Sequence, residues 1–285
     1  MSIATNQYLE SGSVKCLIMG LMLLSFTHVH AQHKLTRLWE SEPTLAVPES
    51  VLVVPDGLYV SLVDGQALEK DGKGGIAKLD RNGKIINASW VTGLNAPKGM
   101  GIWKGRLYVT NISEVVVIDT ATGKIESRIQ VEGAKGLNDI AVDDKGSIYV
   151  SDSELGKIIQ IYNGKPSLYF SGLCGVNGLC ATGRNLYVLT DEHVYRINPQ
   201  RKIIALANIP KKGGDGIVAL GKGNFLFTIY SGLAYYLGKS GNEELLLDTE
   251  ADGINCADIG YDPANQIVFV PTLFKKSVVA YRFEQ

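Results

Sequence analysis

The chain predicts an all-β fold, a six-bladed β-propeller of four-stranded blades, and three observations predict it. One phrase recurs six times: a leading residue that is polar in five copies, a short apolar strand, a turn rich in Gly, Asp or Asn, and a second strand. The copies are Glu49–Tyr59, Lys98–Tyr108, Asn138–Tyr149, Asn177–Tyr187, Asp215–Leu226 and Ala257–Val268. Their closing residues span (268 − 59)/5, a period of roughly 42 residues, the length of one four-stranded blade. No stretch beyond residue 31 carries a sustained 3.6-residue apolar period, so strands must bury the core.

The first element precedes the repeats. Cys16 to Phe26 is an almost unbroken apolar run behind Lys15, followed by Val29-His30-Ala31 and then Gln32. This is the layout of a secretory signal peptide cleaved after Ala31, and the run is too short for a permanent membrane span. Cys16 lies inside the run and not after it, which argues against a lipid anchor. The expected mature chain, 32–285, is exported to the periplasm or the extracellular space and forms a single propeller domain, because six copies follow one another without a linker.

Within a blade, the third copy supplies an inner strand at Ile140–Val142 and a second at Ser147–Ser151. Val115–Asp119 and Lys157–Tyr162 read as third strands, and Ile125–Val131, after the turn Thr122-Gly123-Lys124, as a fourth. The sixth copy ends with Ser277–Phe283 as its third strand, leaving only Glu284 and Gln285. Leu35–Trp39 is the available fourth strand and closes the ring from the other end of the chain. The glycine-rich stretches Asp71–Gly75 and Gly221–Gly223 read as hairpin turns, since neither has phosphate-loop spacing or a following helix. Trp90, Trp103 and the tyrosines fall at blade positions suited to packing between blades.

Composition excludes some partners. The net charge is −1, and it is unchanged when Glu10 and Lys15 leave with residues 1–31. No basic field remains to hold a phosphate backbone, so nucleic acid is not an expected partner. Cys174, Cys180 and Cys256 remain, an odd number. Cys180 falls in an inner strand as a small buried hydrophobe, while a pairing of Cys256 with Cys174 or Cys180 stays open. His28 and His30 also leave; His33 lies near the new terminus, and His193 reads as a solvated turn residue away from the ring. Asn87-Ala-Ser89 and Asn111-Ile-Ser113 are glycosylation sequons, meaningful only in a eukaryotic secretory route.

Subtracting what the copies share leaves one variable position per blade, at the start of the inner strand and hence at one mouth of the channel. In blade order these are Glu49, Lys98, Asn138, Asn177, Asp215 and Ala257, with Asp139 and Asp258 one step further along. Singly, Asp and Asn at strand starts cap backbone groups. Together, four oxygen donors on one axis, without thiolate or imidazole, suit calcium first, magnesium or manganese next and zinc least. Lys98 has three readings: a rim lysine, a partner that neutralises Glu49 and competes with metal, or a cation facing substrate.

These residues also carry a resemblance. Leu137–Asp152 resembles the third-blade motif of the regucalcin (senescence marker protein) and gluconolactonase family. Val176-Asn177-Gly178 is similar to its Pro-Asn-Gly, Gly214-Asp215-Gly216 to its Pro-Asp-Gly, and Pro48-Glu49 to its first-blade Glu. The resemblance implies Glu49, Asn177 and Asp215 as metal ligands and Asn138 as ligand or substrate contact; from their ring positions, Lys98 and Asp139 are also expected at the substrate. It also implies Asp215 as general base on a water attacking a sugar lactone. The chain departs from the pattern at Gly136, where the family's lactonases carry an Arg, and at Val176 and Gly214, where they carry Pro. Lys135 and Lys98 lack the planar fork with which Arg clamps a polyol. The expected function is metal-dependent hydrolysis of a lactone or similar cyclic ester; the alternative is a non-catalytic propeller that binds a small molecule, glycan or protein.

Overall fold

The computed structural model describes residues 33–285, and the expected signal segment lies outside them. Strand β1 (Lys34–Glu40) comes first. Blade 1 is β2 (Pro48–Val54), β3 (Gly57–Leu62), β4 (Gly74–Leu79) and β5 (Ile85–Leu94); blade 2 is β6 (Pro97–Trp103), β7 (Arg106–Asn111), β8 (Glu114–Asp119) and β9 (Ile125–Gln130). Blade 3 is β10 (Leu137–Val142), β11 (Ile148–Asp152), β12 (Lys157–Tyr162) and β13 (Lys165–Ser171). Blade 4 is β14 (Leu179–Thr182), β15 (Asn185–Leu189), β16 (His193–Ile197) and β17 (Ile203–Asn208). Blade 5 is β18 (Gly214–Gly221), β19 (Asn224–Ile229), β20 (Leu233–Leu237) and β21 (Glu243–Asp248). Blade 6 is β22 (Gly260–Asp262), β23 (Ile267–Pro271) and β24 (Val278–Glu284), with β1 as its outer strand.

Each blade is a four-stranded antiparallel meander, and the six make a propeller. The expected closure is present: β1 pairs with β24 from Lys34 opposite Glu284 to Glu40 opposite Val279. Inner and second strands are sandwiched between neighbouring blades, so they read as nearly continuous apolar runs, whereas outer strands such as β9 face water. The core therefore has one large apolar cluster per blade interface, such as Leu58, Val60 and Ala77 of blade 1 against Phe269 and Ala280 of blade 6, and a small seventh at Val63, Ala96 and Ile112. Fully burying one such side chain, Phe269 for example, stabilises the fold by about 1.5–3 kcal/mol. The aromatic residues expected between blades are found there. Trp90 stacks on Tyr59 at 4.6 Å and covers the turn at Gly123, and Trp103 covers Gly146 of the next blade.

Four local expectations change. Asp71–Gly75 is not a hairpin turn: it ends a long connection, 63–73, and Gly74 and Gly75 already belong to β4. A Cβ on Gly74 would stand 2.4 Å from Pro97 Cδ, so glycine is there for close packing against blade 2. His193 opens β16, half-buried, and stacks on Tyr195 at 5.1 Å, because the turn before it is closed by Thr190 bonded to its carbonyl. Cys180 is half-buried and lines the channel; it, Cys174 and Cys256 are all free thiols. Asn111 is buried, its side-chain oxygen accepting from the Asn95 and Ala96 amides, so its sequon has no exposed nitrogen to carry a glycan. By contrast Gly221–Gly223 is the expected hairpin turn, with Lys222 and Gly223 both left-handed. Among the described residues no helix is long and apolar enough to cross a membrane.

Candidate functional site

The leading residues of the repeat do not simply begin their strands. In blades 1, 2, 3 and 5 the pairing of inner with second strand skips at Glu49, Lys98, Asn138 and Asp215, so each of these side chains sits in a β-bulge. A bulge re-aims a side chain out of the ladder. Each bulge is closed by a buried hydroxyl two residues after the repeat's marker position. The Ser50 amide donates to Ser61 Oγ at 3.0 Å, the Asp139 amide to Ser151 Oγ at 2.9 Å, and the Gly216 amide to Thr228 Oγ1 at 2.9 Å. Thr110 Oγ1 donates to the Asn138 carbonyl at 2.5 Å, and Thr228 Oγ1 to the Ala257 carbonyl at 2.9 Å, so two hydroxyls also tie one blade to the next. Blades 4 and 6 have Leu189 and Val270 at this position, and there Asn177 and Ala257 precede their inner strands without a bulge.

Glu49, Lys98, Asn138, Asn177 and Asp215 line one cavity of about 310 Å³ at the channel mouth. Glu49 and Asp215 are nearly inaccessible, and Lys98 Nζ lies 3.3 Å from Glu49 Oε1. Asn177 Nδ2 donates to Asp215 Oδ1 at 3.0 Å, which leaves the amide oxygen free of that bond. Glu49 Oε2 is buried and has no hydrogen-bond partner. Burial pushes the Glu49 carboxyl above the usual carboxylate range although Lys98 opposes it, and burial with the Glu49 charge pushes Asp215 well above it. Burial would lower Lys98, but Glu49, Asp215 and the Glu49 hydrogen bond outweigh it and the ammonium is held more firmly than usual.

Asp139 faces the other way from Asn138. It lines a second space of about 510 Å³, the channel proper, with Ser50 and Asp258. Its oxygens accept from the Ile140 and Leu179 amides, both at 2.6 Å, and burial, aided by the charges of Glu49 and Asp215, pushes it up to about 8. Asp258 accepts from Ser50 Oγ at 2.5 Å, and burial with the Asp139 charge raises it well above the usual range. Glycines make room for both: a Cβ on Gly99 would stand 2.6 Å from Asp139 Oδ1, and one on Gly216 2.6 Å from Asp258 Oδ1. Ala257 is buried and lines neither space.

The donor set suits a hard cation. Of two buried carboxylates one pairs with the Lys98 ammonium and keeps an orphaned oxygen, and two amide side chains stand beside them. Among the described residues no group of three or more His, Cys, Asp and Glu side chains stands in metal-binding geometry, so amide oxygens would be needed to complete any site. Lys98 pairs with Glu49, the second of its three sequence readings, and occupies part of the carboxylate surface a cation would use.

Sequence reasoning missed the cavity's wall. Val47, Val63, Gln66 and Ala67 reach it from blade 1, Tyr230 from blade 5, and Leu273 and Phe274 from blade 6. All lie outside the repeated phrase, where nothing in the alignment of copies marks them. The closing hydroxyls did leave a signal: Ser61, Thr110, Ser151 and Thr228 recur two residues after Tyr59, Tyr108, Tyr149 and Leu226.

No protein-family model matches the chain, and no curated protein matches it in sequence. Solved structures do match in fold. A provisionally assigned gluconolactonase aligns at a TM-score of 0.65 and 17% identity, covering 89% of this chain and 93% of its own. A catalytically inactive His-to-Ala variant of virginiamycin B lyase from Staphylococcus aureus, bound to quinupristin, aligns at 0.63 and 16%, covering 88% and 99%. A chain of a nidogen/laminin complex aligns at 0.57 and 16%, covering 72% and 89%. At these identities the likeness is one of fold.

Proposed function

We propose that the protein hydrolyses a lactone or similar cyclic ester in the channel-mouth cavity, outside the cytoplasm after loss of residues 1–31. Glu49, Asn177 and Asp215, with Asn138 beside them, would hold a divalent cation, calcium by the hardness of the oxygen set. The observation that carries this is the orphaned Glu49 Oε2, a buried anionic oxygen in the same cavity as the Asp215 carboxylate. When bound, such a cation supplies Lewis-acid polarisation of the ester carbonyl. The chain's own residues do the rest. Asn177 fixes one Asp215 oxygen and leaves the other to take a proton from water as that water attacks the carbonyl carbon. The ring C–O bond then breaks, the alkoxide receives the proton from Asp215, and a hydroxy acid leaves. Lys98 places a firmly held positive charge where the oxyanion and the product carboxylate form.

Fold similarity to both a gluconolactonase and a lyase is compatible with this reading. The lyase variant is inactive without a histidine, whereas His33 and His193, the histidines of the described residues, lie outside the cavity. The carboxylates are therefore the candidates for proton transfer. A second reading, non-catalytic binding of a small ligand, is favoured by the Lys98–Glu49 pair, which satisfies part of the carboxylate charge without a metal.

The test is a lactone panel assayed with calcium, magnesium, manganese and zinc. Turnover should vanish with chelator, and Asp215→Asn should lower kcat by about 10²–10⁴-fold, the contribution of a general base, with unchanged circular dichroism. Absence of turnover with all four metals leaves the binding reading in place.

A further inference from the structure

The cavity is two-faced. Its floor is the polar ring, while one side is an apolar wall of Val47, Val63, Leu273 and Phe274, built where blade 6 meets blade 1. Blade 6 is also the blade whose ring position is Ala257, so the gap in the polar ring and the apolar wall belong to the same side.

The wall is held in place at the expense of backbone strain. Phe274 lies in a 3₁₀ turn, Leu273–Lys275, at the tip between β23 and β24. Leu273 has φ 48°, in the left-handed region, and is 5% exposed, while Phe274 is 66% exposed over the cavity. The turn is locked from beneath: Thr272 Oγ1 donates to the Ser277 carbonyl at 2.8 Å, and the Ser277 amide donates back to Thr272 Oγ1 at 3.1 Å. Across from it, Val47 is β-branched and yet has φ 56°, while its carbonyl accepts from the Val63 amide at 3.1 Å. Left-handed conformations of branched residues are unfavourable and persist where the surroundings over-determine them, often at ligand sites. Two strained, tightly bonded segments thus hold apolar side chains against one small cavity, while most of Phe274 stays open to solvent. Tyr230, 45% exposed, adds an aromatic ring at the same mouth.

We propose that the ligand is a lactone whose ring carries an alkyl or aryl substituent, seated with the ester over the Glu49–Asp215 floor and the substituent against Val47, Leu273 and Phe274. This rests on the lactonase reading and names its substrate class. A cavity of about 310 Å³ lies at the small end of ligand sites, which suits a five- or six-membered ring with a short chain and not a polymer. No arginine lines the cavity, so a polyol lactone finds no planar guanidinium clamp beside this wall.

The test is a homologous series of γ-lactones, from the unsubstituted ring to butyl- and hexyl-substituted rings, with glucono-lactone as the hydroxylated comparison. kcat/KM should rise about fourfold per methylene until the chain outgrows the cavity. Phe274→Ser should flatten that rise and Phe274→Trp should keep it. The matching γ-lactams, titrated calorimetrically, give a readout without turnover. If no lactone is cleaved but lactam affinity still climbs with chain length and falls in Phe274→Ser, the hydrolase reading fails and the apolar site stands. A flat series in both assays, or a preference for the hydroxylated lactone, overturns the proposal.

Discussion

Replacing Lys98 by Met isolates the electrostatics of the ring. The ammonium lies 3.3 Å from Glu49 Oε1, with the two side chains 16% and 5% exposed, so the pair is mostly out of water. Removing one member of a buried pair leaves the other charge uncompensated and costs about 3–5 kcal/mol; the partial exposure of Lys98 places the expectation near about 3. For a domain of this size that lowers Tm by about 6–12 °C. The loss should depend on pH. Burial already lifts the Glu49 carboxyl above its ordinary value, and without Lys98 nothing opposes it. The folded state then keeps a proton that the unfolded state gives up above a pKa of about 4.3. Stability therefore falls as pH rises from that value to the folded-state pKa and stays low beyond it, so the deficit is larger at pH 8 than at pH 5. Calcium binding only the folded state, at about a hundred times its Kd, should return about 2.7 kcal/mol. Urea unfolding of wild type and Lys98→Met at both pH values, with chelator and with calcium, checks every step. A variant within about 0.5 kcal/mol of wild type at pH 8 in chelator, or a deficit indifferent to pH and to calcium, refutes the reasoning.

Three further outcomes follow from the scaffold. Thr228→Val removes the hydroxyl that serves the Gly216 amide and the Ala257 carbonyl, and should lower unfolding free energy by about 1–3 kcal/mol in denaturant titration. Gly216→Ala puts a methyl 2.6 Å from both Asp258 Oδ1 and the Ile259 nitrogen; it should cost at least about 1–3 kcal/mol, with Tm as the readout. Glu114 feels burial, but Asn111, Gln130 and Arg128 together hold its carboxyl below the ordinary value. Its stabilisation is complete above the unfolded pKa and is lost as pH falls through the folded one. Glu114→Gln should therefore be less stable than wild type at pH 7 and converge with it near pH 2, followed by Tm.

Most of the architecture was legible because a propeller repeats its grammar. Turn residues punctuate each hairpin, and continuous apolar runs mark strands covered on both faces. The ring residues were legible for the complementary reason, since packing constrains every position of the phrase except the first. The bulges were not, because Ser61, Thr110, Ser151 and Thr228 are ordinary strand residues until their hydroxyls are seen to bond the backbone of neighbouring inner strands. Asp139, expected at the substrate, lines the channel proper and not the mouth cavity that Asn138 lines. Phe274 and Val47 stayed hidden because left-handed backbone at Leu273 and Val47 violates local preference, and local preference is what sequence reasoning reads.

The pairing of β1 with β24 has a consequence for how the molecule comes into being. Lys34 finds its partner only at Glu284, across all six blades of sequence. Five blades can each meander locally as they leave the ribosome, while β1, made before them, waits unpaired for β24 and the ring stays open. Contacts so distant in sequence close slowly. The ring thus stays open until β24 is free, and losing β1 or β24 strips the same sheet.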